Sequence, residues 1–268
     1  MALPSGVEWE IYLADIPANW VDGATKQTLK DWSSFANHAW RGGTAAVEGT
    51  DFTPGASGGV FDGVDDRAFS SSINGWFSVT SCSALVVFKP AAVDTFRCMA
   101  ATGSHGNLGN FGLVCGAPAG GISVEYYGNS YASAGGIITA GNWYCLVATK
   151  SPGPINTTTI MYLNDAVVAA SGASTGVPAI GNGNIYVIGV FTGATFPFTG
   201  TIAAAAFWKR TLSPAEASSA YQSVGSQLAS SGVTLPGITT GAATGHRAGP
   251  SHYLTRKRRR ENLERQMR

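Results

Sequence analysis

The side chains that could do chemistry are few, and they are scattered. Acidic residues thin out through the middle of the chain, where Glu125 is the only Asp or Glu between Asp94 and Asp165. Hydrolysis of a glycosidic bond needs two carboxyl groups on either side of the scissile bond. One carboxyl with no companion nearby does not supply that pair, so the chain is read as a non-enzyme. Gly55-Ala56-Ser57-Gly58-Gly59 matches the spacing of a nucleophile elbow. That motif requires a strand before it and a helix after it. Here Pro54 precedes and a strand-like run follows, so the segment reads as a loop.

Metal and redox chemistry fare no better. The four histidines, His38, His105, His246 and His252, do not cluster with Cys or carboxylates at zinc-ligand spacing. Cys82, Cys98, Cys115 and Cys145 lie 16, 17 and 30 residues apart, with no CxxC pair. Their neighbours are apolar, so they read as core thiols, with a disulfide left open in an oxidising setting. Asp62, Asp65 and Asp66 crowd one tight turn, and their oxygens are the one set suited to a hard cation such as calcium. The competing reading is that Asp62 caps the turn and the others are solvated. No cofactor is expected beyond that calcium.

The elements that must position these residues are strands. In 268 residues there are 35 glycines and only 12% charged side chains, the composition of many short strands joined by turns. Apolar or alternating runs fall at 58–62, 67–71, 83–89, 95–101, 110–115, 121–127, 142–149, 158–163, 166–170, 184–190 and 199–209. Helical periodicity begins only at Ser213, an N-cap followed by Pro214 at N1 and Glu216 at N3. Ala217, Tyr221, Val224 and Leu228 then share one face, and Gly232 is the stop. The pattern predicts an all-β antiparallel sandwich with one short C-terminal helix.

On those residues the chain resembles the laminin-G-like, concanavalin A-like lectin/glucanase superfamily. The resemblance is carried by Asp31-x-Ser33 with Asn37-His38, by Phe61-Asp62-Gly63-x-Asp65-Asp66, and by Ala84-Leu85-Val86-Val87-Phe88-Lys89-Pro90. Gly141-Asn142-Trp143-Tyr144-Cys145-Leu146-Val147-Ala148, Met161-Tyr162-Leu163-Asn164-Asp165 and Phe198-x-Gly200-x-Ile202 through Leu212-Ser213-x-x-Glu216 extend it. It spans residues 31 to 222 and implies a jelly-roll of two antiparallel sheets. It also implies a rim at which relatives often bind calcium, and sugar binding through exposed aromatics with Asn and Asp. Tyr126, Tyr127, Asn129 and Tyr131, set among glycines, are the residues it nominates for glycan. Two departures stand out. Asn164-Asp165 replaces the common Asn-Gly turn, and Ala203 occupies a position where the family usually has an acid.

The chain is expected to divide into an N-terminal arm at 1–30, the jelly-roll domain at 31–230, a flexible linker at 231–251 and a basic tail at 252–268. Residues 1–246 carry 9 basic and 14 acidic side chains, a net −5, while residues 247–268 carry 8 basic and 2 acidic, a net +6. Arg256, Lys257, Arg258, Arg259, Arg260, Leu263, Arg265 and Met267 give the tail charge with an apolar edge. That combination suits an acidic protein groove, nucleic-acid phosphates or an anionic lipid surface. Trp9 and Trp20 load the arm with aromatic surface, which is expected to dock against something.

No run of about 20 apolar residues is present, so no membrane span is expected. Glu8 and Glu10 interrupt any signal-peptide pattern, so no secretion signal is expected. A fold family that works mostly outside cells, joined to a chain without an evident signal, fits a bacteriophage or other virion protein made in the host cytoplasm and released by lysis. The expected function is a decoration, cement, fibre or tail component, with arms holding it to other virion proteins or to further copies of itself and the body exposed to host-surface glycans. The alternative is a freestanding carbohydrate-binding lectin.

Overall fold

The computed structural model describes residues 2–22, 25–42, 51–70, 80–102, 111–126, 129–172, 186–191 and 196–238. The linker beyond Ile238 and the basic tail, with Arg256 through Met267, lie outside the described residues, as does Tyr127. The chain opens with β1 (Val7–Tyr12) and two short strands, β2 (Thr28–Leu29) and β3 (Ala39–Arg41). There follow β4 (Thr53–Gly55), β5 (Gly58–Asp62), β6 (Ala68–Ser70), β7 (Cys82–Pro90), β8 (Arg97–Thr102) and β9 (Phe111–Cys115). Next come β10 (Ile122–Tyr126), β11 (Asn129–Ser133) and β12 (Tyr144–Lys150). One helical turn, α1 (Ile155–Thr158), leads to β13 (Thr159–Leu163), β14 (Ala166–Val168), β15 (Ala170–Ser171) and β16 (Tyr186–Ile188). The long β17 (Thr199–Trp208) runs into α2 (Pro214–Leu228).

These strands form two antiparallel sheets packed face to face. The first runs β14-β13-β12-β7-β17-β5-β4, with β1 also on β17; the second runs β15-β11-β10-β9-β8-β16-β6-β3-β2. Between them Trp9, Phe88 and Phe207 from the first sheet meet Phe111, Leu113 and Tyr186 from the second. Each such side chain removed from water contributes about 1.5–3 kcal/mol, which sets the scale of the core.

β17 is the strand both halves of the first sheet share, pairing with β7 on one side and with β5 and β1 on the other. Its residues alternate as a strand must: Ile202, Ala205 and Phe207 enter the inter-sheet core, while Ala204, Ala206 and Trp208 face α2. The register shift between Ile202 and Ala204 is a bulge that puts Ala203 on the helix side as well. Alanines there let α2 approach closely through Ala217, Ala220 and Val224. An acid at position 203 would be buried, with 0% exposure, beneath that helix.

The helix starts as its sequence predicts. Ser213 Oγ accepts from the Glu216 amide at 3.3 Å, and Glu216 Oε2 accepts from the Ser213 amide at 2.9 Å. Ala217, Tyr221, Val224 and Leu228 are all buried, and Gly232, with φ 79°, ends the short 3-10 turn that follows. Asn164 and Asp165 form the β13–β14 turn at φ 50° and 70°, the left-handed conformation a type I′ hairpin requires.

Within residues 1–30, β1 and β2 are strands of the sandwich. β1 pairs with β17 from Val7↔Trp208 to Tyr12↔Ala204, so Trp9 is 0% exposed. Trp20 is also buried and stacks near Phe52. Both tryptophans assigned to a docking arm are therefore docked inside their own chain. The physical reason is that β5 pairs only with Thr199–Ile202, so the rest of that β17 edge has backbone groups that Val7–Tyr12 satisfies.

Candidate functional site

Three segments distant in sequence converge at one end of the sandwich. The register of β5 on β17 sets Asp62 opposite Thr199, and the turn after β5 carries Gly63, Asp65 and Asp66. Gly63 is left-handed at φ 84°, and a Cβ there would collide with Thr199 Oγ1. Arg97, the first residue of β8, donates through Nη1 to Thr199 Oγ1 at 2.9 Å and to the Pro197 carbonyl at 3.2 Å. Its other nitrogen, Nη2, stands 4.0 Å from the exposed Asp94. The Cys98 amide donates to the Phe196 carbonyl at 2.8 Å, which locks the third segment onto β8.

The result is a rim that combines carboxylates, a guanidinium and an aromatic ring. Asp62 and Val64 are exposed, and Phe196 remains 38% exposed while its ring meets Phe96 edge-on at 4.7 Å. Phe96 and Phe191 continue that aromatic plate over the outer face of the second sheet, where the Phe191 ring lies against Gly112. Sequence reasoning missed Arg97, Phe96 and Phe196. Only strand pairing brings residues 62, 97 and 196 together, and no local motif marks them.

The carboxylates of Asp62, Asp65 and Asp66 offer oxygens within 4.8 Å of one another. Asp66 Oδ2 accepts the Asp62 amide at 2.7 Å, and Asp62 Oδ1 accepts the Val64 amide at 2.7 Å, so Asp62 does cap the turn. Burial, followed by the nearby charges of Asp62, Asp65 and Asp51, pushes the Asp66 carboxyl up to about 6. The donor set is hard oxygen and its spacing suits one divalent cation. It supplies three of the six to eight oxygens that calcium takes, so carbonyls, water or ligand hydroxyls would complete the shell.

Of the residues nominated for glycan, Tyr126 and Tyr131 have described side chains, and both turn toward the core. Tyr126 is 0% exposed and packs on Phe111 inside the core, because Ile122, Val124 and Tyr126 share the inner face of β10. This corrects its expected surface role. Tyr131 pairs with Val124 on the same inner side and only partly emerges, at an open groove beside β14. The Asn129 backbone lies in β11 opposite Tyr126.

Glu125 faces the other side of β10, opposite Gly112 and Ser130, and its carboxyl accepts from the Ser130 hydroxyl. It is 2% exposed, and burial raises its carboxyl above the ordinary range. It is the only carboxylate on the nine strands of the second sheet. Ser57, in the elbow-like motif, sits in the β4–β5 turn and donates to the Ser231 carbonyl at 2.7 Å. All four cysteines are buried and unpaired, and burial pushes Cys115 up to about 12 and raises the other three thiols too. Among the described residues no helix is long and apolar enough to cross a membrane.

A two-sheet antiparallel sandwich with a convergent loop rim is the architecture of a lectin-like domain. The profile of the concanavalin A-like lectin/glucanases superfamily matches residues 62–218, more than half of the chain, and the chain belongs to that superfamily. Among solved structures, a Trypanosoma rangeli sialidase in complex with sialic acid superposes with a TM-score of 0.56 at 14% identity, covering 84% of this chain and 34% of that one. The botulinum neurotoxin serotype D binding domain gives 0.54 at 10% identity over 83% of this chain and 52% of that one. The receptor binding domain of the botulinum neurotoxin C/D mosaic serotype gives 0.53 at 10%, over 81% and 51%. The chain thus spans about a third of the sialidase and about half of the toxin domains, and at these identities the likeness is one of fold. No curated protein matches the chain.

Proposed function

We propose that this protein is a non-enzymatic, lectin-like recognition module that serves as a structural part of a virus particle, with the rim around Phe196, Arg97 and Asp62 as its glycan-contacting surface. The observation that carries the non-enzymatic half is Glu125, which is alone among the strands of its sheet and buried against Ser130. Two-carboxylate hydrolysis has no second group to use there. The rim, by contrast, offers what sugar binding needs: an exposed ring for a sugar face, with a guanidinium and carboxylates for hydroxyls. Asp62, Asp65 and Asp66 would hold a calcium ion, which would supply a further ligand for those hydroxyls.

The virion half rests on the basic residues 247–268, which carry 8 basic and 2 acidic side chains and suit anchorage to an acidic neighbour. Peptide mass spectrometry on purified extracellular particles tests it through the ratio of this chain to the most abundant shell protein. A high ratio marks a decoration or cement protein, and a low ratio a tail, fibre or vertex component. Absence from particles rejects the virion reading and leaves the freestanding lectin, which a glycan array with wild type and Phe196→Ala then tests.

A further inference from the structure

On its outer face the first sheet is only partly covered by α2. Leu85 and Val87 of β7, with Cys145 and Val147 of β12, are sealed in one cluster with the helix. Side chains on one face recur every second residue, so the next row out is set by Lys89, two residues beyond Val87. Lys89 pairs with Thr201 on β17, Thr201 with Val60 on β5, and Val60 with Thr53 on β4. On the other side Trp143, just before β12, brings its ring to 5.5 Å from Lys89 Nζ. These side chains cross the sheet in a line of four strand intervals, about 19 Å at the usual spacing. Val60 is 44% exposed, Thr53 is exposed, and Trp143, Lys89 and Thr201 are half-buried.

Both neighbourhoods of the row are ordered. Before β12, Asn142 Nδ2 donates to Thr139 Oγ1 at 2.7 Å, and the Gly141 amide donates to the Pro90 carbonyl at 2.8 Å. Toward the rim, the next pair on the same face is Thr199 with the exposed Asp62, about 7 Å along the strands. The row therefore runs into the rim. By the same spacings Asp62 lies about 12 Å from Lys89, beyond the screening length of about 8 Å at physiological salt.

The composition of the row selects a partner. Lys89 is its only charged side chain and enters no ion pair among the described residues, so the row fits a partner with an anionic group there. Nucleic acid is held by several phosphate contacts, which need more cations than one. A stable protein interface buries about 800 Å² on each side around large anchors, and Val60 is the only large apolar side chain well exposed in the row. An aromatic ring, two threonine hydroxyls and one cation along an open line suit an extended sugar chain with acidic substituents.

We propose that a linear acidic glycan lies across this row, with a carboxylate or sulfate of the chain on Lys89 and a sugar ring against Trp143. The inference rests on glycan recognition at the rim and names its class: a chain that begins at the rim and continues over the outer face of the first sheet.

Isothermal titration of the full chain tests it, with galacturonate, alginate and hyaluronan oligosaccharides as disaccharides and hexasaccharides, and with neutral cello-oligosaccharides of the same lengths. Wild type is compared with Lys89→Gln, Val60→Asp and Phe196→Ala, after thermal melts confirm that each variant is folded. Wild type should bind at least one acidic hexasaccharide more tightly than its disaccharide and than the neutral chain, and less tightly as salt rises. Lys89→Gln should weaken that hexasaccharide about two- to fivefold and flatten the salt dependence. Val60→Asp, which sets a like charge in the path of the chain, should weaken it as well. No preference for any acidic chain overturns the proposal. Loss with Phe196→Ala alone, both row variants matching wild type, overturns it too and leaves the rim reading standing. Loss with both row variants but not with Phe196→Ala supports the row and rejects the rim.

Discussion

Trp9 lies nearly parallel to Tyr186, with ring centroids 4.8 Å apart and planes at 17°, so the first strand of one sheet is stacked on an inner strand of the other. Phe207 extends the stack at 4.9 Å from Tyr186. Trp9→Ala removes that ring and the hydrogen bond to Asn37, and should cost about 3–5 kcal/mol by the usual price of a large core truncation. Urea unfolding followed by tryptophan fluorescence measures it. A loss under about 1 kcal/mol would mean that the N-terminal strand is peripheral to the fold.

Asp66 sets an unusual pH dependence. Its carboxyl is raised to about 6, from 3.8 in an unfolded chain, so the folded state favours the protonated acid. The associated stability is fully present below about 3.8 and is lost as pH rises through about 6. Asp66→Asn keeps an acceptor for the Asp62 amide and cannot ionise. It should raise the melting temperature at pH 7 and flatten the slope between those two values. Calcium should raise the wild-type melting temperature and leave Asp66→Asn unmoved. An equal calcium response in both proteins would remove Asp66 from any cation site.

The start of α2 works in the opposite sense. Hydrogen bonding to Arg210 first, then to Ser213, holds the Glu216 carboxyl down at about 2. Its stability is present above the unfolded value of 4.5 and is lost as pH falls toward 2. The pair is exposed, so solvent screening keeps the effect small. Ser213→Ala removes the cap itself and should cost about 1 kcal/mol, visible at pH 7 in the denaturation midpoint. An unchanged midpoint would mean that packing of Ala217 and Tyr221 alone holds the helix.

Strand existence was legible in the sequence wherever an apolar run was buried on both faces, as in β7, β9 and β17. It was not legible for β11, whose Asn129-Ser130-Tyr131-Ala132-Ser133 carries no apolar run, nor for β2, β3 and β4, which are two or three residues long. The parity of β10 could have corrected the glycan assignment. If Ile122 and Val124 face the core, Tyr126 must follow them and Glu125 must face away. The capping box and the Asn164-Asp165 turn were readable because their chemistry is local. The rim was not, since Asp62, Arg97 and Phe196 meet only through the pairing of β5 with β17 and the bond from Cys98 to Phe196.

That rim separates recognition from catalysis in a single comparison. Phe196 is partly exposed and its backbone carbonyl, not its ring, accepts from the Cys98 amide, so Phe196→Ala should leave the fold intact while weakening binding to any glycan the wild type retains. Stacking contacts of this kind are worth about 0.5–1.5 kcal/mol, or roughly two- to twelvefold in affinity. Glu125→Gln changes a group sealed under the second sheet's outer surface and should leave glycan affinity unaltered. A hydrolase would behave in reverse, because Glu125→Gln would abolish sugar release while binding survived. Isothermal titration beside a reducing-sugar assay on the same preparations reads both quantities. Binding lost with Phe196→Ala and no turnover in either protein is the expected pattern. Turnover that disappears with Glu125→Gln would make the protein an enzyme.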